Sequence, residues 1–294
     1  MTVRLRVATR GSRLAQWQAN AVGDLLRSGD PHIEIDLVVV TTTGDTRTDV
    51  PLHSVGGQGV FVKEIQEAVL AGEADIAVHS AKDLPSSPPP EGLVLAAVPP
   101  RGDPRDALVG HRLEDLAPGA TVATGSVRRQ AQLAARRPDL TVIDLRGNVD
   151  TRLTKVPEGG AIVVAQAALE RLGLADRAAE VLGVSTMVPQ VGQGALAVEC
   201  RASDPATQRR LGAIQSAVDR GFVDLERAFL AQLGGGCDLP AGAHARLDAD
   251  GQVELHAFLA GPAEVWRARR NGDLHDPSWA AAMAREGAAA VGLA

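Results

Sequence analysis

Cys237, the pair Lys82-Asp83 and a set of arginines at expected strand ends are the residues of this chain with chemistry to offer. Cys237 follows Gly234-Gly235-Gly236 and precedes Pro240. Three glycines let a backbone approach another surface closely and leave the thiol exposed on a loop. An accessible thiolate is a nucleophile and a point of covalent attachment. A lone cysteine is also at home as a small inert hydrophobe, which suits Cys200, just beyond the apolar run Ala195 to Val198. No His–Asn pattern accompanies Cys237, which argues against a cysteine hydrolase. Asp83 follows an expected strand and precedes Leu84-Pro85, so its backbone is restrained and its carboxylate is expected to face a cleft. There it could hold a cationic intermediate or exchange a proton. A surface Lys82–Asp83 pair, worth almost nothing, is the competing description, and the residues alone leave both open. His79 reads as structural, and no His/Cys/Asp spacing resembles a metal site.

The arginines imply an anionic ligand. Of 30 basic residues only Lys63, Lys82 and Lys155 are lysines. Compositional bias accounts for most of that, but not for where the arginines sit. Arg128 and Arg129 fall in the first turn of a helix opened by Ser126, where free backbone N–H groups favour anions. Basic side chains there oppose the helix dipole by roughly 0.3–1 kcal/mol, which an anionic ligand would offset. Arg146 ends a strand, Arg152 lies on the next helix and Arg171 on the helix after it. Guanidinium groups so placed suit bidentate recognition of carboxylates. Arg136 and Arg137, before Pro138, read instead as solvated.

These residues are carried by an α/β alternation expected to give mostly parallel sheets. Strands are expected at Val3–Ala8, Ile33–Thr41, Ala74–His79 and Leu93–Val98, with helices from an N-cap at Ser12 and over Val60–Ala71. The polar, Gly-rich stretch Thr42–Gly59 is long enough to be a functional loop. Pro99 to Pro104 marks a boundary. Strands then follow at Thr121–Ala123, Thr141–Leu145, Ala161–Ala165 and Gly194–Cys200, with helices at Val127–Arg136, from about Asn148, and over 205–233. From about Ala243 the pattern becomes a meander closed by an Ala-rich helix, a smaller α+β domain. The turns Thr9-Arg10-Gly11-Ser12, Ser80-Ala81-Lys82-Asp83, Thr124-Gly125-Ser126 and Arg146-Gly147-Asn148 all follow strands, where open parallel sheets bind ligands. Together they suggest one cleft between two α/β domains.

Composition narrows the class. The chain has 294 residues, enough for two or three domains. Net charge is −6, so neither nucleic acid nor an anionic membrane is an expected partner. No apolar stretch is long enough to span a bilayer. The N-terminal segment Met1–Val7 reads as a strand rather than a signal peptide, which predicts a cytoplasmic protein.

Five segments, in order, resemble the porphobilinogen deaminase family. They are Val78-His79-Ser80-Ala81-Lys82-Asp83-Leu84-Pro85, Gly125-Ser126-Val127-Arg128-Arg129-Gln130, Leu145 to Leu153 with Arg146-Gly147-Asn148, Val191-Gly192-Gln193-Gly194-Ala195, and Gly235-Gly236-Cys237. The resemblance implies two α/β domains like those of periplasmic solute-binding proteins around a cleft, plus a small α+β C-terminal domain. Its expected bounds are 1–99 with 195–216, then 100–194, then 217–294. It also implies a monomer in which a dipyrromethane cofactor, thioether-linked to Cys237, primes the head-to-tail joining of four porphobilinogen molecules into hydroxymethylbilane. Loss of ammonia leaves an electrophilic azafulvene, which the free α-carbon of the preceding pyrrole attacks. By resemblance, Asp83, Lys82 and Arg10 are catalytic. Cofactor binding is implied for Ser12, Lys82, Asp83, Thr124, Ser126, Arg128, Arg129, Arg146 and Gln193, and substrate binding for Arg10, Arg146, Arg152 and Arg171. The chain departs from many relatives at Ser54 and Gln58, where lysines are usual, and at Gly125, where a second hydroxyl often stands.

Two other classes compete. A solute-binding or ligand-sensing protein could share the cleft fold, since fold does not fix function, but it needs neither Asp83 nor an anchor. A cysteine-dependent acyl transferase lacks a base beside Cys237.

Overall fold

The computed structural model describes residues 2–46, 59, 61–235 and 239–293. Cys237, Ser54, Gln58 and Val60 lie outside the described residues. The chain divides into two compact units, Met1–Gly102 with Ala195–Arg220 and Asp103–Gly194 with Gly221–Ala294. The second and third expected domains therefore share one unit.

The first unit is a five-stranded sheet in the order β2-β1-β3-β10-β4, built from β1 (Val3–Arg10), β2 (Ile33–Val40), β3 (Ile76–Ser80), β4 (Leu93–Ala97) and β10 (Leu196–Arg201). The period-two alternation of its strands decides which helix covers which face. Leu5, Val7, Ile76 and Val78 pack with Ala19, Val22 and Leu26 of α1 (Arg13–Gly29). Ala8 and Ala77 face the other way, onto Ile65, Ala68 and Val69 of α3 (Lys63–Leu70). Strands β1 and β3 run parallel, so their carboxyl ends, Arg10 and Ser80, emerge at the same edge. Before α3, the short helix α2 (Thr43–Thr46) is tied to it by Thr43, whose N–H donates to Glu64 Oε1 at 2.9 Å.

The second unit holds two sheets. One has the order β7-β6-β8-β5-β9, from β5 (Asp106–Gly110), β6 (Thr121–Ala123), β7 (Thr141–Ile143), β8 (Ala161–Ala165) and β9 (Glu180–Val181). Helices α4 (Val127–Arg136), α5 (Val149–Leu153) and α6 (Gln166–Arg171) follow β6, β7 and β8 in the chain. The other is the antiparallel meander β11 (Ala241–Leu247), β12 (Val253–Ala260) and β13 (Val265–Asn271). Ala243, Ala245, Leu255, Ala257 and Leu259 pack one face of the meander on Leu225 and Phe229 of α8 (Ala217–Gln232) and Met283 of α9 (Ser278–Ala290). Phe258 and Ala260 on the opposite face pack on Val188 and Ala131 of α4.

Two features differ from the sequence reading. In each five-stranded sheet one strand opposes the rest, β10 in the first and β5 in the second. Each is the first strand after the chain enters that unit from the other. The segment Asp106–Gly110 is a strand that the alternation did not reveal. The helical segments expected over 205–233 are α7 (Pro205–Gly212) and α8, and Ser216 N–H bonds Val98 O at 2.9 Å between them. Among the described residues no helix is long and apolar enough to cross a membrane.

Candidate functional site

In the first unit a pocket opens where β1 and β3 end, lined by Arg10, Ser12, Phe61, Ser80, Lys82 and Asp83 among others. Its volume is about 100 Å³, below the roughly 150 Å³ of an enclosed cavity that takes benzene. Ser12 does what its type and position predict: its Oγ accepts from Ala15 N–H at 3.2 Å and caps α1. The Arg10 guanidinium carbon sits 4.0 Å from the Phe61 ring centroid, so the aromatic face steadies the cation. Gln18, buried on α1, donates to Ser80 Oγ at 2.8 Å. Ala81 N–H then bonds Ala195 O at 3.0 Å, and Leu84 N–H closes a single 3-10 turn onto Ala81 O at 3.3 Å. That turn, Ala81–Asp83, half-buries Lys82 and Asp83 at the pocket.

The other two strand-end turns meet in the second unit. Thr124 N–H bonds Ile143 O at 2.9 Å, joining the end of β6 to that of β7. A β-carbon at Gly125 would lie 2.8 Å from Leu145 O, so the turns pass too closely for any side chain there. Ser126 opens α4, as expected, and its side chain makes no capping bond. Asn148 caps α5 instead, its Oδ1 accepting from Thr151 N–H at 2.9 Å. Arg152 Nε donates to Gly147 O at 2.8 Å, and Arg146 is half-buried beside it in sequence. Arg171 Nη2 donates to Gly194 O at 2.6 Å, and burial brings its pKa down to about 10 despite the opposing charge of Glu170.

Arg128 and Arg129 lie inside the second unit rather than on open turns. Both are buried, with 3% and 5% of their side chains exposed, and both grip the fully buried Asp106. Arg128 Nη2 reaches Asp106 Oδ2 at 2.8 Å, and Arg129 reaches Oδ1 through Nε at 3.0 Å and Nη2 at 2.7 Å. Gln193, expected to line a cleft, is likewise buried and donates to Asp106 Oδ1 at 2.9 Å and Pro104 O at 2.7 Å. These groups are internal because a carboxylate at the start of β5 was there to receive them. Burial alone would raise the Asp106 pKa, but the two guanidinium groups overcome it and bring it down to about 2. Burial draws Arg128 below its usual value against the pull of Asp106, as expected where two cations share one anion.

The sequence reading missed Asp106, whose one signal is an acidic residue opening the apolar segment Ala107-Leu108-Val109. It also missed Glu199, buried on β10 beside His79 and Gln66, and Glu226. Glu226 is buried on α8 and accepts from Gly192 N–H at 2.7 Å and Ala245 N–H at 2.9 Å.

The donor set fits an anionic, N–H-bearing ring system. The first-unit pocket combines two cations, hydroxyls and one carboxylate. In the second unit two arginines on one aspartate leave a net positive charge, and the buried Arg128 Nε has no hydrogen-bond acceptor. Gly234, at φ +66°, adopts the left-handed turn just past the end of α8, so the first glycine of the triplet has a helix-ending role.

Family models match residues 5–209, as the dipyrromethane cofactor binding domain of porphobilinogen deaminase, and 222–285, as its C-terminal domain. A porphobilinogen deaminase of Syntrophotalea carbinolica is 51% identical over 82% of this chain and 78% of its own length. One from Nitratidesulfovibrio vulgaris is 48% identical over 92% and 87%. Among solved structures, the methionine-binding protein MetQ has a TM-score of 0.45 at 14% identity, covering 76% of this chain and 93% of its own.

Proposed function

The chain belongs to the porphobilinogen deaminase family, and from that premise we propose how its own residues perform the family's chemistry. It is a transferase of tetrapyrrole (haem) biosynthesis that condenses porphobilinogen into hydroxymethylbilane and releases ammonia, and it carries a dipyrromethane cofactor-binding domain. The solute-binding alternative is not favoured by these relatives.

The observation that carries the residue assignment is the pocket at the ends of β1 and β3, where Arg10, Lys82 and Asp83 meet. Bound through Cys237, the dipyrromethane supplies the free pyrrole carbon to which the first porphobilinogen is joined. Arg10 and Lys82 hold substrate carboxylates, one as a planar fork and the other as a point charge. Asp83 supplies a carboxylate at the pocket, which would lower the energy of the cation left when ammonia departs. Ser12 and Ser126 offer hydroxyls, and Thr124 holds the turn before Ser126, whose N–H it accepts at 3.3 Å. Arg146, Arg152 and Arg171, in the second unit, offer guanidinium groups to the carboxylates of the lengthening product. Arg128 and Arg129 contribute through the charge that Asp106 leaves uncompensated, rather than through open forks.

Cys237 needs no base in this scheme, since it anchors and does not turn over. A thioether anchor requires a free thiol, which supports a reducing, cytoplasmic setting. We keep the three-domain division 1–99 with 195–216, 100–194 and 217–294, supported by the separate cores of the three sheets, and take the chain as a monomer. Incubating the purified chain with porphobilinogen tests the whole reading. Release of ammonia with a linear tetrapyrrole is expected, and an inert chain bearing its cofactor would overturn it.

A further inference from the structure

His79 stands one residue before Ser80 and lines the pocket that holds Lys82 and Asp83. Its imidazole is 2% exposed, and its Nε2 lies 3.1 Å from Oε2 of Glu199, itself 1% exposed. The approach is close enough for an ion pair but misaligned for a hydrogen bond, so Nε2 has no hydrogen-bond acceptor. Glu199 is fixed from the other side by Gln66 of α3, whose Nε2 donates to Oε1 at 3.1 Å and Oε2 at 2.9 Å. Three elements, β3, β10 and α3, thus converge on a buried imidazole–carboxylate pair behind the pocket. An apolar strand such as β10 does not spend a buried carboxylate on packing alone, because an unpaired charge there is costly.

We propose that His79, held by Glu199, is a positioning residue for the deaminase reaction. The pair fixes the end of β3, from which Lys82 and Asp83 are delivered. The proposal rests on the reading that Asp83 works in this pocket. Held in place, the turn presents Arg10, Lys82 and Asp83 together to a carboxylate-bearing substrate. With the imidazole gone, Glu199 keeps only Gln66 among these partners, and the turn after β3 loses its support. The groups that bear on His79 are Glu199 from β10, Gln66 from α3, Gln18 from α1, Arg10 from β1, and Lys82 and Asp83 from the turn that follows β3.

Steady-state kinetics across pH on the holo chain test this, with His79→Gln, Glu199→Gln and the double variant, each checked by intact mass for its cofactor. In His79→Gln the carboxylate loses its imidazole partner, and the KM for porphobilinogen rises about tenfold, or about 1.4 kcal/mol, with a smaller change in kcat. Glu199→Gln removes the buried charge and raises KM less than His79→Gln does. The double variant carries neither group and recovers KM towards the wild-type value. Unchanged KM profiles with only a lowered melting temperature would overturn the proposal, as would a double variant no better than His79→Gln. Asp83→Asn, assayed alongside, separates the two claims. If it turns over normally, the pocket reading fails, whereas a silent His79–Glu199 pair beside an impaired Asp83→Asn sinks the pair alone.

Discussion

Asp106 Oδ1 accepts from Arg129 at 2.7 Å inside the second unit, while Oδ2 accepts from Arg128 at 2.8 Å, so one carboxylate at the head of β5 holds both arginines of α4. Two cations on one anion tie α4 to the sheet and leave positive charge at the helix start, where the backbone also favours anions.

Removing that anion exposes the arrangement. Asp106→Asn leaves two buried guanidinium groups without a counter-charge, at a cost of about 3–5 kcal/mol, read as a lowered denaturation midpoint. The same residue shapes acid stability. Its pKa falls from 3.8 to about 2 on folding, so its stabilisation is complete above about pH 4 and is lost as pH falls towards 2. The loss is about 2 kcal/mol by linkage. Unfolding titrations should show that acid limb in the wild type and not in Asp106→Asn.

The arginines should separate into two classes. Arg129→Ala breaks a buried pair and lowers stability by about 3–5 kcal/mol. Arg152→Ala loses one bond to Gly147 O and half-buried contacts, at about 1 kcal/mol, but impairs chain elongation. Melting curves and single-turnover assays on both variants check the division; equal losses in both readouts would erase it.

Asp83→Asn keeps the shape of the 3-10 turn and removes the charge. Turnover should fall by roughly 10²–10³, the scale of losing one electrostatic stabiliser, while intact mass still shows the cofactor.

Gly125→Ala drives a β-carbon to 2.8 Å from Leu145 O. Parting the two turns should cost about 1–3 kcal/mol and reduce activity, since Ser126 and Arg146 both hang from them. A stable and fully active Gly125→Ala would show that the close approach relaxes freely.

Much of this was legible in the residues. The strands Thr121–Ala123 and Ala161–Ala165 and the helix Val127–Arg136 have the expected bounds, because β-branched runs and an amphipathic helix are local signals. Arg10, Ser12, Lys82 and Asp83 gather because strand ends are where parallel sheets collect polar groups. What escaped was non-local. Asp106–Gly110 is only five residues long, and its first residue is an acid whose partners lie 22 and 23 residues on. No periodicity joins them, so Arg128 and Arg129 looked like open anion hooks. Glu199 escaped likewise, since its partners sit on other elements.

The central claim is a cofactor tethered at Cys237 and worked on by a pocket that includes Asp83. Intact mass of the purified chain, made with porphobilinogen available, tests it most directly. Wild type should exceed its sequence mass by two linked pyrrole units, and Cys237→Ala should match its own sequence mass. A wild-type chain at bare sequence mass, or the same adduct on Cys237→Ala, would contradict the account.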